Sequence, residues 1–300
     1  MFFKIKNEFA TMKVEKFAGI DIGSNGVRLL IMNVYEKDSK RIYNKNILVR
    51  VPIRLGSDSF VHNEIKDDTL DNLNSAMISF KHLMKVHGVK KYRACATSAL
   101  REALNSKDVI DYIKEHSGIE IELIDGKTEA DIIYKTQIND LLEENKGFLF
   151  IDVGGGSTEL TYFYNKKSIF SRSFKIGAVR SLKQLVAESE WNQLKEFIEK
   201  ANINENTLAV GTGGNINTLF KQSQKPLGKP LSYSYILEQF KKLKSLTVDE
   251  RILEYGFNPD RADVIVPALE IYLFVLKQAQ IKQILVPKIG LADGLVKTIE

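Results

Sequence analysis

The stretch from Phe148 to Leu160 constrains this chain more than any other. The apolar run Phe148 to Ile151 meets Asp152, then glycines at 154, 155 and 156, then Ser157, Thr158 and Glu159. Such a run reads as a central strand, and glycines directly after it read as a tight turn. Without side chains in the way, backbone N–H groups can come close to an anion, which is the chemistry of a phosphate site. Asp152 at the strand end would face the same anion, and two negative groups sharing one place call for a divalent cation between them. Alone, the stretch reads equally well as a glycine-rich hairpin with a capping aspartate.

The same design occurs earlier. Residues 17–26 are again an apolar strand, Asp21, and a loop of Gly23, Ser24, Asn25 and Gly26. Each copy is followed by a strand, a polar turn and another strand: 27–34, 37–40 and 41–51 in the first, 159–164, 165–167 and 168–176 in the second. Duplication of this kind predicts two related α/β domains facing each other, with both Asp-Gly loops closing on one ligand from opposite sides.

Composition narrows the class. Three hundred residues, 44% of them apolar, suffice for two ordinary cores. No uninterrupted apolar stretch has the length that crosses a bilayer, and residues 1–16 lack the pattern of a signal peptide. Met12 is a second candidate start, which makes 1–11 a loosely held extension. Cys95 is the lone cysteine and sits in an apolar strand, so it reads as a buried, inert thiol in a reducing cytoplasm. A net charge of +5 favours capture of a polyanion, but no dense Lys/Arg run points to nucleic acid. His62, His82, His87 and His116 are scattered without metal-ligand spacing.

Between the two loops, residues 55–60 read as a polar loop, and a helix from Asp67 or Asp68 to a stop at Gly88 carries Leu70, Leu73, Met77, Phe80, Leu83 and Met84 at helical spacing. A strand at 91–96 leads into Thr97 and Ser98, where Ser98 can cap a helix whose first N–H groups are unpaired. Arg101, in the first turn, reads either as a fork onto phosphate oxygens or as a solvated side chain paired with Glu102. A helix at 106–116 and a strand at 119–124 follow. The next helix, running through Thr136, carries Glu129 at its start. Glu129 reads as a lone base at an interdomain cleft or as an acid that merely favours the helix dipole.

Farther along, 177–186 and 191–201 read as helices. Strand 208–210 runs into a further glycine loop with Gly213 and Gly214, which opens a helix at Ile216. Residues 221–234 read as an exposed excursion, 261–280 as a long apolar helix with Pro267 near its first turns or at a kink, 284–286 as a last strand, and 290 onward as a closing helix that returns to the first domain.

The ordered set Asp21-Ile-Gly-Ser-Asn, Ala96-Thr-Ser-Ala-Leu-Arg-Glu-Ala, Glu129-Ala, Asp152-Val-Gly-Gly-Gly-Ser-Thr-Glu-Leu, Gly211-Thr-Gly-Gly, Arg261-Ala-Asp and Gly290-Leu-Ala-Asp-Gly resembles the exopolyphosphatase and guanosine pentaphosphate phosphohydrolase family from about Lys16 onward. The resemblance implies two RNase H-like domains of the actin, Hsp70 and sugar-kinase type, with mixed sheets and the active site in the cleft. The expected boundaries are 12–131 for the first domain, completed by a helix in 288–300, and 132–287 for the second.

By the same resemblance Glu129 is the general base for water, with Arg101 and Arg28 as cationic clamps. Asp152, Glu159 and Asp21 hold Mg²⁺ or Mn²⁺. Gly23, Ser24, Asn25, Thr97, Ser98, Gly154, Gly155, Gly156, Ser157, Thr158, Gly213 and Gly214 hold successive phosphates. The implied substrate is inorganic polyphosphate or guanosine pentaphosphate, with neither nucleic acid nor membrane as a partner and a homodimer as a candidate assembly.

Three departures from the family pattern stand out. Thr128 replaces the first acid of a Glu-Glu-Ala segment, Gly26 replaces a serine, and the match covers the two core domains where longer relatives add a helical C-terminal module. They shift the expectation toward short chains or a nucleotide polyphosphate, and leave a non-catalytic polyphosphate or alarmone sensor as the rival of another class. An ATP-dependent kinase ranks lower, because no acceptor motif accompanies the loops.

Overall fold

In the computed structural model, the described residues are 14–37, 40–134, 146–201, 203 and 207–300. The expected extension at 1–11, residues 38 and 39 of the first polar turn, and the end of the Glu129 helix near Thr136 lie outside them. Two mixed sheets organise the chain. The first has strands β1 (Val14–Ile22), β2 (Val27–Lys37), β3 (Lys40–Val51), β4 (Lys91–Ala96) and β5 (Glu122–Leu123), in the order β3-β2-β1-β4-β5. The second has β6 (Gly147–Val153), β7 (Thr158–Tyr164), β8 (Lys167–Phe174), β9 (Leu208–Thr212), β10 (Leu231–Ser232) and β11 (Gln283–Leu285), in the order β10-β11-β9-β6-β7-β8.

The second sheet repeats the first. In both, the first three strands form an antiparallel meander and the next two add in parallel on the other side of the first strand. The duplication read from the two Asp-Gly loops therefore extends through five strands of each sheet, with β10 an antiparallel addition at the edge of the second, and the fold is the expected one. Central strands β1 and β6 are buried along most of their length, as their apolar runs require.

Helices connect and cover the sheets. They are α1 (Leu55–His62), α2 (Asp67–His87), α3 (Ser98–Glu102), α4 (Ser106–Ser117), α5 (Gly126–Tyr134), α6 (Ala178–Leu182), α7 (Glu188–Lys200), α8 (Gly214–Gln222), α9 (Tyr233–Ser245), α10 (Val248–Tyr255), α11 (Pro259–Ala262), α12 (Ile265–Gln278) and α13 (Leu291–Lys297). In α2, Leu73, Met77, Phe80 and Met84 are buried, and Gly88 closes the helix at φ 68°. The region expected as a polar loop at 55–60 is helix α1. Its Gly, Ser and Asp are poor helix formers, but burial of Leu55 and Phe60 overrides them. The strand expected at 119–124 shortens to β5, and the long helix expected at 261–280 divides into α11 and α12, with Pro267 in the first turn of α12, where its missing N–H costs nothing.

The last helix, α13, buries Leu291, Ala292, Leu295 and Val296 against β1, β2, β4 and α5. Gly19 of β1 admits it, because a methyl there would collide with the Ala292 carbonyl. Gly294 does the same on the other side, where a methyl would collide with the Ile132 carbonyl and side chain in α5. The chain thus leaves the first sheet through α5 and returns to it through α13, and the two segments lie against each other.

Alanine in a helix interior normally gains about 0.5–1 kcal/mol over glycine. Contact with the Ile132 backbone reverses that sign, so Gly294→Ala is expected to lower stability by about 1–3 kcal/mol in urea unfolding. A stabilised variant would show that α13 does not pack this closely.

Candidate active site

Register places the key acids. In the β6–β7 hairpin Asp152 lies directly across from Glu159, and in the β1–β2 hairpin Asp21 lies across from Arg28. The two hairpins are equivalent in the duplicated topology, so one place carries two like charges and the other an ion pair, Arg28 Nη1 to Asp21 Oδ2. Like charges directly opposite are destabilising unless something neutralises them.

Helix α5 adds a third acid. Gly126 opens it against β7 and β8, where any side chain would strike Ser173 and crowd Glu159. Asp125 accepts from the Thr128 amide at 2.7 Å and ties down the first turn. One turn in, Glu129 brings a carboxylate oxygen to Asp152 and Glu159, and oxygens of all three lie within 4.8 Å of one another. Three converging carboxylate oxygens suit a hard divalent cation, and a cation at their centre would relieve the repulsion.

Burial pushes all three carboxyls up. Glu129 lies well above the usual carboxylate range, first through desolvation and then through Glu159, Asp152 and Asp21, with Arg101 opposing. Desolvation lifts Asp152 to about 6 despite a hydrogen bond from Thr212, and Glu159 to about 7, with Asp152 adding to the effect. Ser157 and Ser173 hydroxyls donate to Glu159 Oε1 at 2.6 and 2.7 Å and fix its orientation.

The glycine loops meet above these acids. Gly23 N donates to Gly26 O at 3.3 Å and Gly154 N to Ser157 O at 2.9 Å, so the two loops share one hydrogen-bonded turn. A methyl on Gly155 would press into Ser24, and Ser24 Oγ lies 3.0 Å from Ser98 Oγ. Gly213 takes φ 107°, with Val153 O and Asp152 too close for a Cβ, and opens α8 toward the cleft. Polar contacts cross between the two halves: Asn25 Nδ2 donates to Asp260 O at 2.8 Å, Arg54 pairs with Asp263 at 2.6 Å, and Arg180 pairs with Glu102 at 2.9 Å.

Most of the sequence-derived site gathers here. Asp21, Gly23, Ser24, Asn25, Arg28, Thr97, Ser98, Glu129, Asp152, Gly154, Gly155, Ser157, Glu159, Gly213 and Gly214 line one cleft. Five of the expected residues stand in surroundings that the sequence does not show. Asp21 is engaged by Arg28 and stands outside the group formed by the other three acids, and Glu129, expected to serve water alone, lies within that group. Thr158 is fully buried and its hydroxyl donates to Ile176 O, so it braces the hairpin rather than facing the cleft. Gly156 packs against Phe60 and Ser98. Arg101 donates to Ile124 O at 2.6 Å and acts on the acids by its field, while Glu102, its other expected partner, pairs with Arg180.

Sequence reasoning missed the basic wall of the cleft, formed by Lys45, Arg50, Arg261 and Lys288 with Asn215. Arg261 was visible in the Arg261-Ala-Asp motif; the others carry no local signal. Burial, then the neighbouring Arg50 and Arg28, push Arg261 down to about 9. The cleft therefore holds both a cluster of acids and a crowded group of cations.

Two matched sheets with a cleft between them are the two-domain actin-like fold. Within that fold the chain belongs to the Ppx/GppA phosphatase family, whose pattern it matches over residues 47–300. Exopolyphosphatase 2 of Mycobacterium tuberculosis is 24% identical over 96% of this chain and 99% of its own length. A bifunctional 3-dehydroquinate synthase/phosphatase of Fusobacterium nucleatum is 33% identical over 59% of this chain, a match that spans 26% of that protein. Among solved structures, the Aquifex aeolicus Ppx/GppA family member superposes with a TM-score of 0.72 at 27% identity, covering 94% of this chain and 96% of that one. An exopolyphosphatase from Cytophaga hutchinsonii superposes with a TM-score of 0.81 at 24% identity, covering 95% and 97%.

The raised carboxyls set the pH dependence of the metal-free protein. Folded Asp152 and Glu159 hold protons at a pH where the unfolded chain has released them, so their contribution to stability is full below about pH 4. It is lost as pH rises through about 6 and about 7. Chelator-treated protein is expected to melt lower at about pH 8 than at about pH 5, and added Mg²⁺ or Mn²⁺ to raise the melting temperature more at the higher pH. Equal cation effects at both values would argue against the three acids as the site.

Proposed function

We propose that this chain is an exopolyphosphatase-type hydrolase that removes the terminal phosphate of inorganic polyphosphate. The observation that carries the reading is the lining of one cleft: a triad of convergent carboxylates, a group of guanidinium and ammonium groups, and opposed glycine loops. A linear polyanion fits that lining, with its terminal phosphoryl group at the acids and the remaining phosphates along the basic wall.

Glu129, Asp152 and Glu159 would hold a divalent cation, which when bound offsets negative charge on the phosphoryl oxygens. The chain's own groups do the rest. Glu129 orients a water and takes its proton as the water oxygen attacks the terminal phosphorus, and the anhydride P–O bond to the next phosphate breaks. The products are orthophosphate and a chain one unit shorter. Backbone N–H groups of the loops around Gly23, Gly154 and Gly213, with Arg28, stabilise the oxygens on which charge develops. Arg28 is well placed for this because Asp21 holds its guanidinium at the cleft.

A cytoplasmic setting belongs to this reading. The lone Cys95 is buried, and desolvation with Glu122 pushes its thiol up to about 12, so it is chemically quiet. No helix among the described residues is long and apolar enough to cross a membrane.

Glu129→Gln is expected to lower phosphate release from polyphosphate by about 10²–10⁴-fold with the fold unchanged. Near wild-type release would remove Glu129 as the base. Guanosine pentaphosphate in a parallel assay measures the competing substrate, and a tenfold preference either way corresponds to about 1.4 kcal/mol of transition-state discrimination. Tight binding of both without release would leave the chain a sensor.

A further inference from the structure

Arg50 stands in the basic wall of the cleft, and three features of its surroundings set it apart. It lies on Gly26, the last residue of the first loop: a Cβ there would sit 3.1 Å from Arg50 Nη2 and 2.9 Å from Val51 O. Its Nη2 is anchored by Asp260, a buried residue of α11 from the other half of the molecule, whose backbone carbonyl also receives Asn25. Its Nε is buried and has no hydrogen-bond partner. A guanidinium has five N–H donors in a fixed fork, so one carboxylate contact leaves most of them unused. A further cation, Arg261, stands close by and hydrogen-bonds to the Asn215 amide oxygen.

Resting on the reading of the cleft given above, we propose that Arg50 is a specificity-determining residue that grips a phosphate beyond the terminal one, and that Gly26 is the position that admits it. A serine at this place in the loop would offer one hydroxyl. Here the hydroxyl is absent, and a charged fork from β3 occupies the space over the loop. Arg50 is borne by a strand that contributes none of the acids, and its neighbours in the cleft wall are Lys45 and Leu48 of the same strand. The ligand class it selects is a linear chain of at least three phosphates, because the acid cluster takes the terminal group and Arg28 lies between.

Gly26 and Asp260 act as positioning residues. A serine at 26 must displace either the Val51 backbone or the guanidinium, and the side chain is the easier to move. Serine in the wild-type background is therefore expected to mimic loss of Arg50. Once Arg50 is already gone, the same serine should cost little.

The experiment separates binding from turnover by using Glu129→Gln protein in the presence of Mg²⁺, with affinity read by calorimetry. Tripolyphosphate and orthophosphate are the two probes. Adding Arg50→Gln is expected to weaken tripolyphosphate binding roughly tenfold, as loss of a charge-assisted hydrogen bond implies, and to leave orthophosphate within about twofold. Gly26→Ser alone should weaken tripolyphosphate similarly, and the Gly26→Ser, Arg50→Gln pair should lose no more than Arg50→Gln does. Arg50→Lys should fall between.

Equal tripolyphosphate affinity with and without Arg50, or equal losses for both probes, would overturn the assignment while leaving the proposed hydrolase intact. Fully additive losses in the pair would overturn the role of Gly26. Failure of both the wild-type and the Glu129→Gln protein to bind tripolyphosphate at all would overturn the reading of the cleft, and the Arg50 assignment with it.

Discussion

The arrangement of this molecule depends on a repulsion. Asp152 and Glu159 face each other across neighbouring strands in a position where the equivalent hairpin of the other half carries an ion pair, Asp21 with Arg28. A fold that duplicates its framework usually has no reason to retain two adjacent buried acids, since their desolvation and mutual field oppose folding. Here the surroundings reinforce the pair: Ser157 and Ser173 fix Glu159, Thr212 supports Asp152, and α5 brings in a third carboxylate. The strain is local, and it would be relieved by a divalent cation among the three carboxylates, so the candidate site sits where the copies diverge.

The second requirement is that both halves approach closely enough to enclose a chain of phosphates. Contact is made without bulk. Gly155 lies against Ser24, Gly156 against Ser98, and Gly177 against the backbone of the second loop. Around this glycine contact, Arg180 spans the gap: its Nε donates to Gly156 O at 2.9 Å, its Nη2 pairs with Glu102, and its guanidinium rests 4.0 Å above the Phe60 ring. Arg54 holds φ 62° while paired to Asp263, a left-handed conformation uncommon outside glycine, at the point where β3 gives way to α1. Narrow loop contacts framed by crossing ion pairs join the two halves at the cleft, and apolar clusters run on across them behind it.

Local sequence carried the loops, the strands and much of the core, because each depends on near neighbours: an apolar run, a glycine turn, a period of two. The same period separates Glu159 from Thr158, since successive side chains of a strand point to opposite faces, and Thr158 accordingly turns inward to Ile176. The pairing of Asp21 with Arg28 also follows from a hairpin closed by the loop at 23–26. Other features are written only in three dimensions. Glu129 joins Asp152 and Glu159 because Gly126 allows α5 to lie on β8. The basic wall unites Arg50 with Arg261, more than two hundred positions apart, and neither stands in a basic run. Helix α1 shows the opposite case, where burial of Leu55 and Phe60 overrode a sequence that favours a loop.

The docking of α13 on β1 has a consequence for how the protein comes into being. Residues 291–297 seal one side of a sheet whose strands end at Leu123, with nearly the whole second half of the chain threaded between. During vectorial synthesis the second half can mature while the first still exposes an apolar surface, because α13 follows the whole second half in the chain. Assembly of the first half therefore waits for synthesis of residues 291–297, and a nascent chain arrested near position 285 would present that bare surface to the folding machinery of the cell.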